Sequence, residues 1–155
     1  MDIGMIGLGR MGANMARRLH QGGHRVVGFD PGPAAREALQ ADGLEAAPSL
    51  EALVAALPAP RVLWLMVPAG APVDATLEAL RPLLQPGDAV VDGGNSRYQD
   101  SQRRAAACRQ DGIDFLDCGT SGGIWGLAEG YSLMVGGDAA AVSYTHLRAH
   151  ETLRY

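Results

Sequence analysis

Three glycine-rich segments hold the residues of this chain best suited to chemistry. They are Gly7-Leu8-Gly9-Arg10-Met11-Gly12, Asp92-Gly93-Gly94-Asn95-Ser96 and Gly119-Thr120-Ser121-Gly122-Gly123. The first has Gly-x-Gly-x-x-Gly spacing between an apolar stretch and a helical one, the setting of a dinucleotide-binding turn. In such a turn the first glycine permits the tight bend, the second admits a pyrophosphate, and the third lets helix and strand pack closely. Amides at the helix start then face the phosphates, where the helix dipole favours negative charge. Asp30 closes the next apolar stretch, 18 residues after Gly12. A carboxylate there can accept hydrogen bonds from both adenosine ribose hydroxyls and repels a 2′-phosphate. Pro31-Gly32-Pro33 follows, with no arginine immediately after the acid. This favours NAD over NADP, although Arg25 and Arg36 are near enough in sequence to leave some NADP tolerance open. The plainer alternative for Asp30, opening a turn before Pro31, is compatible with the ribose role.

The elements that must position these residues alternate strand and helix. Strands are expected at Ile3–Ile6, Arg25–Phe29, Val62–Val67, Ala89–Val91 and Ile113–Asp117, with one more at Leu133–Val135. Helices are expected at Gly12–Gln21, Pro33–Ala41, from an N-cap at Ser49 to about Leu57, Ala71–Leu84 and Ser96 to about Gln110. Met15, Ala16 and Leu19 are spaced to face a sheet, and Gly22-Gly23 stops their helix. Pro82 is expected to disturb the last turn of its helix. The helix carrying Arg103, Arg104 and Arg109 reads as exposed. The continuous apolar run Val62–Val67 suits a strand buried on both faces. The order predicts an α/β, Rossmann-type doubly wound and mainly parallel sheet. All three glycine segments then fall at the C-terminal ends of strands, where such sheets bind ligands.

Composition narrows the function classes. The chain has 155 residues, 47% of them hydrophobic, and a formal net charge of −4. That is enough for one domain with a core. No basic stripe points to nucleic acid, no apolar run is long enough to span a bilayer, and no signal segment opens the chain. The expected compartment is the cytoplasm. Cys108 and Cys118 read as reduced core thiols, and no metal site is expected. His20 and His24 flank the Gly22-Gly23 turn and read as solvated or capping residues. Trp64 reads as core. Trp125 reads as a pocket wall or a loop anchor. Asp114 and Asp117 form no convincing acid–base pair. All 13 basic residues are arginine, so no lysine is present to act as a general base.

The end of the chain breaks the pattern. Residues 142–152, Val-Ser-Tyr-Thr-His-Leu-Arg-Ala-His-Glu-Thr, match one reading frame of a transposon-based sequencing adapter. The expectation is a dinucleotide-binding domain over residues 1–141, incomplete at its C-terminal end, and a non-native tail over 142–155. His146 and His150, four residues apart, resemble a helical metal pair. They have no third ligand and belong to that tail.

Residues 1 to about 141 resemble the 6-phosphogluconate dehydrogenases, within the wider β-hydroxyacid dehydrogenase group, and look most like the short, NAD-preferring branch. The resemblance is carried by Gly7–Gly12 with Asn14-Met15, by Leu65-Met66-Val67-Pro68-Ala69-Gly70, by Asp92–Ser96 and Gly119–Gly123, by Trp125-Gly126-Leu127, and by Leu133–Gly137. Relatives acting on 3-hydroxyisobutyrate or tartronate semialdehyde usually have Asp-x-Ser-Thr in place of Asp-Gly-Gly-Asn-Ser. The NADP-using branch usually has Asn-Arg where this chain has Asp30-Pro31, and tends to have lysine at Pro68.

The resemblance implies that Gly7, Leu8, Gly9, Arg10, Met11, Gly12, Asp30, Val67, Pro68, Ala69 and Asn95 bind NAD. It implies that Asn95, Ser121, Gly122 and Gly123 bind 6-phosphogluconate. The Asn95 amide has both a donor and an acceptor for a place between nicotinamide and sugar acid. The implied reaction moves hydride from C3 to the cofactor, releases carbon dioxide from the 3-keto acid and protonates the enediol to ribulose 5-phosphate. It needs a base and an acid. The family supplies them as lysine and glutamate, expected beyond residue 141, so the chain itself is expected to be inactive. The full-length parent is expected to be a homo-oligomer. Another β-hydroxyacid dehydrogenase and a non-catalytic NAD-binding module remain alternatives.

Overall fold

The computed structural model describes residues 1–144; residues 145–155, with His146 and His150, lie outside the described residues. Seven strands form one sheet in the order β3-β2-β1-β4-β5-β6-β7. They are β1 (Asp2–Ile6), β2 (Arg25–Phe29), β3 (Glu45–Ala46), β4 (Val62–Leu65), β5 (Ala89–Asp92), β6 (Asp114–Ser121) and β7 (Ser132–Gly136). The first six pair in parallel, and β7 runs antiparallel to β6. This is the doubly wound sheet the strand–helix alternation predicts. The order reverses between β1 and β4, which creates a crevice at their C-terminal ends.

The helices are α1 (Arg10–Gln21), α2 (Pro33–Ala41), α3 (Leu50–Ala56), α4 (Ala71–Leu80), α5 (Tyr98–Gln110), α6 (Gly126–Glu129) and α7 (Ala139–Tyr144). Side chains alternate along the central strands and divide the core in two. Ile3, Met5, Val62, Trp64 and Val91 face Met15 and Ala16 of α1 and Leu39 of α2. Ile6, Leu63, Leu65 and Val90 face Leu53 of α3, Leu77 of α4 and Cys108 of α5. Both cysteines are buried and free, and Trp64 is a core residue.

Local signals account for several boundaries. Ser49 Oγ accepts the Ala52 amide at 3.1 Å and caps α3. Pro33 starts α2. At Pro82 the α-helix gives way to a 3-10 turn, Arg81–Leu83, because proline cannot donate to the preceding turn.

Three expectations need correction. β4 ends at Leu65, so Met66 and Val67 begin a loop. β6 runs to Ser121, so Gly119, Thr120 and Ser121 are strand residues held by pairing with β7. α5 is not wholly exposed: Arg103 and Arg109 are on the surface, but the Arg104 side chain is 1% exposed, between Asp92 and Asp74. Among the described residues, no helix is long and apolar enough to cross a membrane. No cluster of three metal-ligating side chains occurs among them.

Candidate functional site

A cleft of about 750 Å³ opens at the reversal between β1 and β4. Gly7, Gly9, Arg10, Met11 and Gly12 form its floor. Gly7 has φ 93°, and a Cβ there would lie 2.5 Å from the Met66 carbonyl oxygen. A Cβ on Gly12 would run into the Gly7 carbonyl oxygen. Over Gly9 a Cβ would meet nothing within 4 Å. Two glycines are therefore required by packing, and the third leaves open space where the backbone faces the cleft. Gly9 is also the N-cap of α1, with no side-chain cap and no acid in the first turn. The first amides of this 12-residue helix are thus available to an anion.

Asp30 stands at the end of β2, on the cleft wall with Pro31. Its Oδ2 accepts the Leu8 amide at 2.9 Å and its Oδ1 accepts the Gly32 amide at 2.8 Å. The turn-opening role and a ribose role coexist, since each carboxylate oxygen has a further lone pair. Leu8 contributes through its amide, because its side chain is buried. The two arginines near Asp30 in sequence separate in space. Arg25 starts β2, at the opposite end of the strand, and forms two bonds to Glu45. Arg36 stays close and donates to the Asp30 carbonyl at 2.6 Å.

The other end of the cleft is walled by Val67 and Pro68 after β4, and by Gly93, Gly94 and Asn95 after β5. Ala69 is an exposed neighbour just outside it. Trp64 backs this wall: a Cβ on Gly93 would lie 2.5 Å from its indole Nε1. Asp92 shapes the β5 loop by accepting the Gly94 amide at 3.0 Å and the Ser96 hydroxyl at 2.6 Å. Asn95 has φ 58°, the one positive value at a non-glycine among the described residues. Asparagine tolerates this left-handed conformation better than most residues. Its Oδ1 accepts the Thr120 amide at 3.3 Å, which ties the loop to β6.

Ser121, Gly122 and Gly123 do not line this cleft. Ser121 ends β6, Gly122 follows it and Gly123 opens a 3-10 turn, with Ser121 and Gly123 exposed. Trp125 is 67% exposed and does not line the cleft. Tyr131 braces this loop, its ring packed where Cβ atoms on Gly122 or Gly126 would sit. Arg18 joins it by donating to the Leu127 carbonyl at 2.9 Å, holding α6 against α1. Neither residue stands out in the sequence, because both act on partners more than a hundred positions away or on bare glycine backbone. His20 and His24 line a separate surface hollow beside Gly23. Asp117 lies beside Asp92 across the β5–β6 pairing, and burial raises its carboxyl above the usual range.

Residues 2–148 match the family model described as the NAD binding domain of 6-phosphogluconate dehydrogenase. The chain is 51% identical over 137 residues to an NAD(+)-dependent, decarboxylating 6-phosphogluconate dehydrogenase of Haloferax volcanii, covering 88% of this chain and 45% of that protein. It is 45% identical over 141 residues to a putative 6-phosphogluconate dehydrogenase of Bacillus subtilis, covering 91% of this chain and 47% of that protein. The chain thus spans about half the length of these relatives. Among solved structures, a 3-hydroxyisobutyrate dehydrogenase of Mycobacterium tuberculosis superposes with a TM-score of 0.86 at 31% identity, over 94% of this chain and 50% of that one. The 6-phosphogluconate dehydrogenase of Plasmodium falciparum, whose complexes include NADP+, gives 0.85 at 30% identity, over 92% and 32%. The glycine turn at the sheet's reversal, the open helix N-terminus and the sequence match together place the chain in the family of 6-phosphogluconate dehydrogenase NAD-binding domains.

Proposed function

We propose that this chain is the cofactor-binding half of an NAD-dependent, decarboxylating 6-phosphogluconate dehydrogenase. The observation that carries the reading is the cleft itself. It has phosphate-ready amides over Gly9 at its centre, Asp30 at one end and the Asp92–Ser96 loop at the other. Gly7, Gly9, Gly12 and the first turn of α1 would hold the pyrophosphate. Asp30 would accept the adenosine ribose hydroxyls, which favours NAD, as do relatives named NAD(+)-dependent. Val67, Pro68 and Asn95 would flank the nicotinamide, and Asn95 with Ser121, Gly122 and Gly123 would meet the sugar acid. The nicotinamide supplies the hydride acceptor for C3 of the substrate.

The general base and acid are expected from a lysine and a glutamate in the longer protein, beyond residue 141, and the chain has no lysine of its own. On this reading residues 1–141 are the native cofactor domain. The chain alone binds cofactor without turnover, and the parent enzyme is a cytoplasmic homo-oligomer.

Two assays test this. NADH and NADPH are titrated into the chain by fluorescence, and NADH is expected to bind more tightly. The full-length enzyme is then assayed with NAD and 6-phosphogluconate, following NADH and carbon dioxide. NADH formation without carbon dioxide would overturn the decarboxylating assignment. A second reading, a 3-hydroxyisobutyrate-type dehydrogenase, rests on the fold match to that enzyme. Preferential oxidation of 3-hydroxyisobutyrate by the full-length protein would select it.

A further inference from the structure

The buried guanidinium of Arg104 touches both loops that wall one end of the cleft. Its Nη2 donates to the Gly70 carbonyl at 3.1 Å, at the close of the loop after β4. Its Nη1 donates to Ser96 Oγ at 2.9 Å, in the loop after β5, and lies 3.4 Å from Asp92 Oδ2 at the end of that strand. Its Nε donates to Asp74 Oδ1 at 2.8 Å, in the first turn of α4. The loops also meet directly: a Cβ on Gly94 would lie 2.6 Å from the Val67 carbonyl oxygen. Arginine suits this position because its planar fork bonds several acceptors at fixed angles, which an ammonium cannot do. Two carboxylates face it, Asp74 being shared with Arg103, and Asp92 is fully buried.

We propose that Arg104 is a positioning residue that clamps the β4 and β5 loops together and so sets the width of the nicotinamide end of the cleft. This rests on the cofactor reading above and goes beyond it. The Arg104 side chain is 1% exposed and does not line the cleft. It acts through Gly70 on the Val67–Ala69 backbone, and through Asp92 and Ser96 on Asn95. A doubly wound sheet binds the two halves of a dinucleotide on its two strand halves. The clamp lies wholly on the β4–β5 half. The adenosine half rests on Gly7–Gly12 and Asp30, which Arg104 does not contact.

That asymmetry supplies the test. Arg104→Lys keeps the charge, so Asp92 is not left buried beside a neutral group, but it loses the fork. The 155-residue chain and this variant are titrated with NADH and with ADP-ribose, which lacks the nicotinamide. The expected result is a loss of about tenfold for NADH, with ADP-ribose within about twofold of the unsubstituted chain. Equal weakening of both ligands, or no change in either, overturns the proposal. Ser96→Ala removes one partner of the fork without changing charge and is expected to give the same selective loss, smaller in size. It decides the matter if Arg104→Lys does not fold. Amide hydrogen exchange is read on the same proteins without ligand. Residues 67–70 and 93–96 should open together in Arg104→Lys, while residues 7–12 stay protected. Should the unsubstituted chain bind neither ligand, the cofactor reading falls. The clamp is then decided by exchange: coordinated opening of the two loops supports it, and unchanged exchange overturns it.

Discussion

The Asp30 carboxylate accepts a hydrogen bond from the Leu8 amide at 2.9 Å, which makes the acid at the end of β2 and the glycine turn after β1 one unit. The same carboxylate orders the turn at Gly32. A change at Asp30 therefore acts on cofactor choice in two ways, through the ribose contact and through the loop it braces.

Asp30→Asn keeps the size of the side chain and removes the charge. The variant should bind NADH about tenfold more weakly, since hydrogen bonds to a charged acceptor are stronger than those to a neutral one. Binding of NADPH should weaken less, because repulsion of the 2′-phosphate is lost at the same time. Paired fluorescence titrations of the two cofactors measure the ratio. An unchanged ratio would remove Asp30 from the specificity argument.

Two glycines of the turn should respond in opposite ways to the same methyl group. Gly12→Ala drives a Cβ into the Gly7 carbonyl and should destabilise the fold by about 1–3 kcal/mol or more, as overpacking does. Gly9→Ala meets no atom within 4 Å, and its backbone, φ −63° and ψ −177°, suits any residue. Its unfolding free energy should stay within about 0.5 kcal/mol of the unsubstituted chain, while cofactor binding is lost. Thermal unfolding and NADH titration on both variants separate the two effects. A Gly9→Ala chain that binds normally would put the pyrophosphate elsewhere.

Much of this arrangement is legible in the sequence, for local reasons. Pro33 and Gly43 bound α2, and β2 is a short apolar run between a glycine pair and Asp30. The glycine turn is recognised by its spacing, and its three roles follow from the absence of a Cβ. What escapes local reading depends on distant partners. Gly119-Thr120-Ser121 looks like a loop from its composition, yet pairing with Leu133 and its neighbours makes it strand. The two-residue β3 exists only because β2 offers an edge. Arg104 resembles its surface neighbours on α5, because nothing nearby in sequence marks it. Its partners Asp74 and Gly70 are 30 and 34 positions away.

Acid should loosen the α4–α5 contact over a defined range. The hydrogen bond from Arg104 lowers the Asp74 carboxyl to about 2 from an ordinary 3.8, with Arg103 adding to the effect against the cost of burial. A carboxylate whose folded-state value is depressed stabilises the fold above its unfolded value and loses that contribution as pH falls towards its folded value. The loss should therefore run from about pH 4 down to about pH 2. Asp74→Asn should be less stable than the unsubstituted chain at neutral pH and should show a flatter dependence across that range. Denaturant unfolding at a series of pH values measures both, and parallel curves for the two proteins would contradict the assignment.

Asp88 offers a test of the sheet away from the cleft. Its carboxylate is fully buried at the start of β5, and it accepts the Arg61 amide at 2.7 Å, Arg61 Nη1 at 3.0 Å and the Gln85 amide at 2.9 Å. It thus joins the segments that enter β4 and β5, the two strands whose far ends carry the cleft loops. Removing one partner of a buried pair costs roughly 3–5 kcal/mol, because the other charge is left uncompensated. The Arg61 side chain retains 17% exposure and water can reach it, so Asp88→Ala should fall at the lower end of that span. Asp88→Asn should cost less than Asp88→Ala, since one oxygen still accepts an amide. Its NH₂ group, however, must face a donor. Denaturant unfolding of the two variants gives the order. If Asp88→Asn proves as damaging as Asp88→Ala, the negative charge rather than the hydrogen-bond geometry holds this end of the sheet.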